Sequence, residues 1–163
     1  MIEIPEWPFS LGVPAASGVI RSYPEDFVVE EIPKVEPAGE GEHLWLWVEK
    51  RSTNTDWVAR QLARVAGCAA RDVGFAGLKD RHAVTLQWFS VPICESTGEN
   101  LEDAGIEGVT ILASHKHHRK LKRGTLKGNR FRLKIRNFDG DPGETERRLQ
   151  SIRSDGIPNY FGP

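Results

Sequence analysis

Residues 74–87 read Gly-Phe-Ala-Gly-Leu-Lys-Asp-Arg-His-Ala-Val-Thr-Leu-Gln, a glycine-punctuated loop that runs into a β-rich segment. Gly74 and Gly77 permit tight turning or the close approach of a ligand. Asp80 stands between two cations, Lys79 and Arg81. An aspartate is ionised at neutral pH without special tuning, its reference pKa being about 3.9. Neighbouring cations favour the charged form of a carboxylate and can also engage phosphate. The chemistry on offer is an ionised carboxylate flanked by cations that could meet a polyanion. A Lys-Asp pair alone is more simply a surface turn with a local ion pair, so the weight rests on the whole string.

A second concentration of chemistry is cationic. Residues 115–136 hold ten basic residues (Lys116, Arg119, Lys120, Lys122, Arg123, Lys127, Arg130, Arg132, Lys134 and Arg136) and no acid. Residues 1–50 carry ten Asp/Glu against three Lys/Arg, so the net charge of −1 hides a segregation. A basic block of this length is the electrostatic footprint of a nucleic-acid contact rather than of an ordinary solvated face. His115, His117 and His118, with Cys94, invite a metal reading, but the spacing H-x-H-H matches no strong ligand pattern. No metal is expected.

The elements that must position these groups follow from periodicity. Phe27–Ile32 reads as a strand, and Leu44–Val48 (Leu-Trp-Leu-Trp-Val) as a buried central strand. Trp57, Val58, Leu62 and Val65 fall at helical spacing, with Asn54 as N-cap and Gly67 as the stop. Val84–Val91 reads as a half-buried strand with Val84, Leu86 and Trp88 on one side, and Val109–Ala113 as another strand. Residues 129–137 alternate, which predicts Phe131, Leu133 and Ile135 packed on one face and Arg130, Arg132, Lys134 and Arg136 on the other. Asp141-Pro142 opens a last helix through Ile152. Strands outnumber helices and mostly follow one another, which favours an α+β class.

The chain of 163 residues suits one compact domain, and 39% hydrophobic content is ordinary for a globular protein. No run approaches the roughly 18–20 apolar residues of a membrane span. Met1–Ser10 lacks the basic-then-apolar layout of a signal peptide. Two cysteines, Cys68 and Cys94, in no CxxC pair, suggest reduced thiols and a cytoplasmic protein.

Ala76, Gly77, Lys79, Asp80, Ala83, Thr85 and Gln87 reproduce the signature AGxKDxxAxTxQ, and in it the chain resembles the tRNA pseudouridine synthase D family. Other pieces agree in order: Pro24-Glu25-Asp26-Phe27-Val28-Val29-Glu30, Gly41-Glu42-His43, Asn54-Thr55, Leu126-Lys127-Gly128-Asn129-Arg130-Phe131 and Asn159-Tyr160-Phe161-Gly162. The likeness spans almost the whole chain.

The resemblance implies an isomerase of the pseudouridine synthase type, which detaches uridine from its ribose, turns the base and rejoins it through carbon. No cofactor is needed. It implies Asp80 as the covalent nucleophile, with attack on the ribose or on the base left open, and Arg21 as a basic partner of Asp80. Phe27, Asn129 and Phe131 would contact the target nucleotide, Phe131 by stacking on the base. Lys79, Arg81, Lys116, Arg119, Lys120, Lys122, Arg123 and Lys127 would meet RNA phosphates. The implied substrate is tRNA, at position 13 in the family's bacterial members. The implied fold is a mixed, mainly antiparallel sheet with flanking helices.

Family members continue well past the Asn159-Tyr160-Phe161-Gly162 element. The expectation is therefore a truncated form: 1–155 as the N-terminal part of the catalytic domain and 156–163 as the junction to a missing insertion domain. Such a form would have an incomplete sheet, little or no activity, and the missing C-terminal portion as a partner. The alternative is a non-catalytic tRNA-binding module or RNA chaperone that uses the basic 115–136 tract.

Overall fold

The computed structural model describes residue 9 and residues 11–94, 97, 101 and 105–157. The Asn159-Tyr160-Phe161-Gly162 segment and nearly all of residues 1–10 lie outside them. In chain order the elements are β1 (Ala16–Val19), β2 (Phe27–Pro33), β3 (His43–Arg51), α1 (Thr55–Ala66), β4 (Gly74–Phe75), β5 (Val84–Pro92), β6 (Val109–His117), β7 (Leu126–Leu133), β8 (Arg136–Gly140) and α2 (Pro142–Asp155). No helix among the described residues is long and apolar enough to cross a membrane.

The chain divides into two units. Residues 20–134 form a six-stranded sheet in the order β6-β3-β5-β2-β7, with β4 paired to β5. Only β2–β5 is parallel; the other pairings are antiparallel. The expected α+β class with a mixed, mainly antiparallel sheet is the one adopted. The other unit, residues 1–19 and 135–163, pairs β1 with β8 and carries α2, whose N-terminus is capped by Asp141 Oδ1 accepting from the Gly143 and Glu144 N–H groups.

In the larger unit, α1 covers half of one sheet face. Val58, Ala59, Leu62, Ala63 and Ala66 share a helix side and pack on Leu46 and Val48 of β3, Phe89 and Val91 of β5, and Phe75 of β4. Val58 and Leu62 are wholly buried, each contributing about 1.5–3 kcal/mol of apolar burial. Gly67 ends the helix in the left-handed region at φ 67°, its N–H bonded to the Ala63 and Arg64 oxygens. Asn54 occupies the N-cap position, but its side chain makes no capping hydrogen bond.

Two strands depart from the sequence reading. β5 is buried on both faces rather than half-buried, and Thr85, Gln87, Phe89, Ser90 and Val91 are its deepest residues. It lies between β3 and β2, so the polar side chains of the signature point into the protein. β7 ends at Leu133, not Asn137, and Phe131, Leu133 and Ile135 are 56%, 48% and 54% exposed. Their alternation is real, but α1 lies over β3 and β5, and in the 20–134 unit the β7 edge of that face stays open.

Candidate active site

Register places the candidate residues on the α1 face of the sheet, running from its buried strands out to that open edge. Lys50, Thr85, Val29 and Phe131 form one row across β3, β5, β2 and β7. Opposed residues share a face, as do residues two apart on one strand. Phe27, Glu31, Asn129 and Leu133 therefore face the same way as Val29 and Phe131, and Gln87 the same way as Thr85.

Asp80 is presented by the segment between β4 and β5, which is fixed from below by buried polar side chains. Lys50 Nζ donates to the Asp80 main-chain oxygen at 2.7 Å and to the Thr53 oxygen at 2.8 Å. Thr55 Oγ1, at the start of α1, accepts from the Lys79 N–H at 3.0 Å and donates to Gln87 Oε1 at 3.0 Å. Gln87 Nε2 donates to the Gly77 oxygen at 3.1 Å. Lys50, Thr55 and Gln87 are all buried. Such a satisfied network holds one loop conformation, because each lost partner leaves a buried polar group unpaired. Asp80, Arg81 and His82 remain exposed above it.

Lys79 is not where a phosphate contact requires it. Its ammonium lies 3.0 Å from Glu31 Oε2, and the two side chains are 4% and 1% exposed. The oxygen meets the cation as an ion pair rather than in hydrogen-bond geometry. The second Glu31 oxygen accepts from the Trp88 N–H at 3.4 Å. The physical reason is the β2 alternation: Phe27, Val29 and Glu31 all point inward, so a buried carboxylate demands a counter-ion and Lys79 supplies it.

Phe27 and Phe131 stack at 6.0 Å between centroids and 9° between planes, with Phe27 buried and Phe131 exposed. The Arg21 guanidinium carbon sits 4.0 Å above the Phe27 ring. Arg21 adopts φ 59°, uncommon for a residue with a Cβ. Among the described residues Arg21 makes no ion pair with Asp80; the aromatic face takes its cation instead. Asn129 Oδ1 is buried with no hydrogen-bond partner among the described residues, and so is Thr85 Oγ1. The Asn129 oxygen, unpaired beside the open edge, is a group that a bound ligand can satisfy.

The basic tract spreads across the sheet rather than forming one patch. β6 and β7 are opposite edges, so Lys116 and Lys127 are separated by three strands, and residues 118–125 must cross the face opposite α1. There Trp45 Nε1 donates to the Arg119 oxygen, the Leu121 N–H donates to Ser90 Oγ, and Leu121 packs with Trp45 and Trp88. Gly74 permits this crossing, since a Cβ on it would fall 2.2 Å from the Leu121 oxygen. The segment then reaches the loop that carries Asp80: the Gly124 N–H donates to the Ala76 oxygen at 2.8 Å, and Arg123 lies over the Phe75 ring. Arg119, Lys122 and Arg123 are exposed, while Lys120 is half-buried and bonded to the Arg71 oxygen. A cavity of about 610 Å³ under this segment is lined by Trp45, His117 and the 118–122 stretch, but not by Asp80, Asn129 or Phe131. His117 stacks on Trp45 at 4.1 Å, and its Nδ1 accepts from the Arg119 N–H.

Sequence reasoning missed Lys50, Glu31 and Thr55. The signal was alternation: Leu46 and Val48 on the core face of β3 put Lys50 there too, as Phe27 and Val29 do for Glu31.

Comparison with known proteins identifies the family. The family model for tRNA pseudouridine synthase D (TruD) matches residues 8–163. The tRNA pseudouridine synthase D of Nitrosococcus oceani is 51% identical over 155 residues, 92% of this chain and 42% of the relative. That of Hydrogenovibrio crunogenus is 44% identical over 161 residues, 99% of this chain and 46% of the relative. A crystal structure described as a TruD from Methanosarcina mazei superposes with a TM-score of 0.73 at 29% identity, covering 89% of this chain and 34% of that one. The chain thus spans somewhat under half the length of the curated relatives it matches. With the signature on a fixed loop and the family model matching nearly end to end, the chain belongs to the tRNA pseudouridine synthase D family.

Proposed function

We propose that this chain carries the nucleophile-bearing part of a tRNA pseudouridine synthase that isomerises uridine 13, with Asp80 as the nucleophile. The observation that carries the reading is the pairing of an exposed Asp80 with a buried polar network that fixes its backbone. A surface turn with no chemistry has no use for three buried polar side chains bonded to it from beneath.

The target uridine has to leave its stack, at a cost of a few kcal/mol, and be held by stacking and edge contacts. Phe131 offers an exposed ring for stacking, and Asn129 an unpaired amide oxygen for a base or ribose donor. Arg21 would have to leave the Phe27 ring either to free that ring or to approach Asp80. Arg81, Arg119, Lys122, Arg123 and Lys127 are the cations that would meet tRNA phosphates, fixing position rather than reading sequence. In the reaction the N-glycosidic bond breaks while Asp80 holds the covalent intermediate. The base then turns, a carbon–carbon bond forms from C5, and the C5 proton leaves to solvent.

Mapping pseudouridine in tRNA by carbodiimide-dependent primer extension, after incubation with the complete polypeptide that carries this sequence, tests the reading. A stop at position 13 is the expected result. Unmodified tRNA that is nevertheless bound would favour the non-catalytic RNA-binding alternative.

A further inference from the structure

Lys50 is the most conspicuous buried group that the family signature does not include. It closes a strand face otherwise made of Leu44, Leu46 and Val48, and it is completely buried. Burying an ammonium is strongly unfavourable unless it is well paired, and an apolar residue of similar volume would avoid that penalty. Packing alone therefore does not account for a lysine here. Its two acceptors are main-chain oxygens, those of Thr53 in the turn before α1 and of Asp80 in the loop. Its third proton has no hydrogen-bond partner among the described residues.

Resting on the reading of Asp80 as nucleophile, we propose that Lys50 is its positioning residue: the buried ammonium clamps the Asp80 main chain to the entry of α1 and places a positive charge beneath the carboxylate. Both consequences suit covalent catalysis. The clamp fixes the direction of attack. When the covalent bond to Asp80 breaks, its electron pair returns to the carboxylate oxygen, and a cation underneath makes that carboxylate the better leaving group.

The charged groups facing Lys50 are Asp80 and Lys79 of the loop, with Glu31 of β2 paired to Lys79. Burial lowers the Lys50 pKa to about 8, Asp80 opposes that shift and Lys79 adds to it. The clamp is thus charged at neutral pH and discharges under mildly alkaline conditions.

The test is single-turnover tritium release from tRNA labelled at uridine C5, across pH 6–10, with tRNA affinity measured in parallel. Wild type, Lys50→Met and Lys50→Arg are compared in the complete polypeptide. The wild-type rate is expected to fall above about pH 8. Lys50→Met is expected to lose roughly a hundredfold in rate, with tRNA affinity little changed. Lys50→Arg, which stays charged, should recover part of the rate and move the alkaline limb upward. A Lys50→Met rate near wild type, or a loss matched by weaker tRNA binding, overturns the proposal. Should neither variant fold, a wild-type rate that stays flat to pH 10 overturns it. A wild type that releases no tritium fails at the earlier step, the nucleophile reading itself.

Discussion

Lys79 Nζ lies 3.0 Å from Glu31 Oε2 inside the sheet, one residue before Asp80. The pair joins the Asp80 loop to β2, the strand that begins with Phe27, so a cation that looked available to phosphate instead ties two parts of the candidate site together. Removing one partner of a buried ion pair leaves the other charge uncompensated, at about 3–5 kcal/mol. Urea unfolding of Glu31→Ala and Lys79→Ala should show losses of that size. The double variant Glu31→Leu with Lys79→Met should recover most of it.

Lys50 gives the fold a pH dependence of defined sign. Its folded pKa of about 8 lies below the ordinary lysine value of 10.5, so between these values the unfolded chain binds more protons. Stability contributed by this residue therefore rises with pH through that window, and a penalty of about 3 kcal/mol present below pH 8 is gone above pH 10.5. Denaturant unfolding at pH 7 and pH 10 reads this out against Lys50→Met, in which the Lys50 share of the rise should be missing.

Cations on the crossing segment and the buried Lys79 should differ in their salt response. Lys122→Ala and Arg119→Ala are expected to reduce the slope of log affinity against log salt for tRNA by about 0.7–0.9 each. Lys79→Met should leave that slope unchanged. A slope lowered equally by Lys79→Met would place its ammonium at the RNA surface and contradict the ion pair.

The stacked phenylalanines should separate stability from activity. Phe27 is 5% exposed, so Phe27→Ala is expected to destabilise by about 3–5 kcal/mol. Phe131 is 56% exposed, so Phe131→Ala should move stability by less than about 1 kcal/mol while lowering the rate of pseudouridine formation. Thermal unfolding beside single-turnover rates distinguishes the two.

Much of this was legible in the sequence, because apolar periodicity reports where side chains point. The positions of β2, β3, β5 and α1, the Gly67 stop and the Asp141 cap all follow from it. The loop carrying Asp80 was legible because glycines interrupt two β-rich runs. What escaped was non-local. Whether Phe131 and Leu133 are covered depends on where α1 lands, and nothing within β7 encodes that. Lys79 reads as a surface cation until Glu31, 48 positions earlier, is known to share its interior. The basic tract reads as one block in sequence, yet β6 and β7 fall on opposite sheet edges and divide it. Arg21 was placed beside Asp80 by likeness alone, and locally the Phe27 ring offers it a closer partner.

Tritium release from C5-labelled tRNA by wild type and Asp80→Asn tests the central claim most directly, since asparagine preserves the size of the side chain and removes its nucleophilic charge. The account predicts release by the complete wild-type polypeptide and none above background for Asp80→Asn, with tRNA binding retained. Release at the wild-type rate by Asp80→Asn would contradict it.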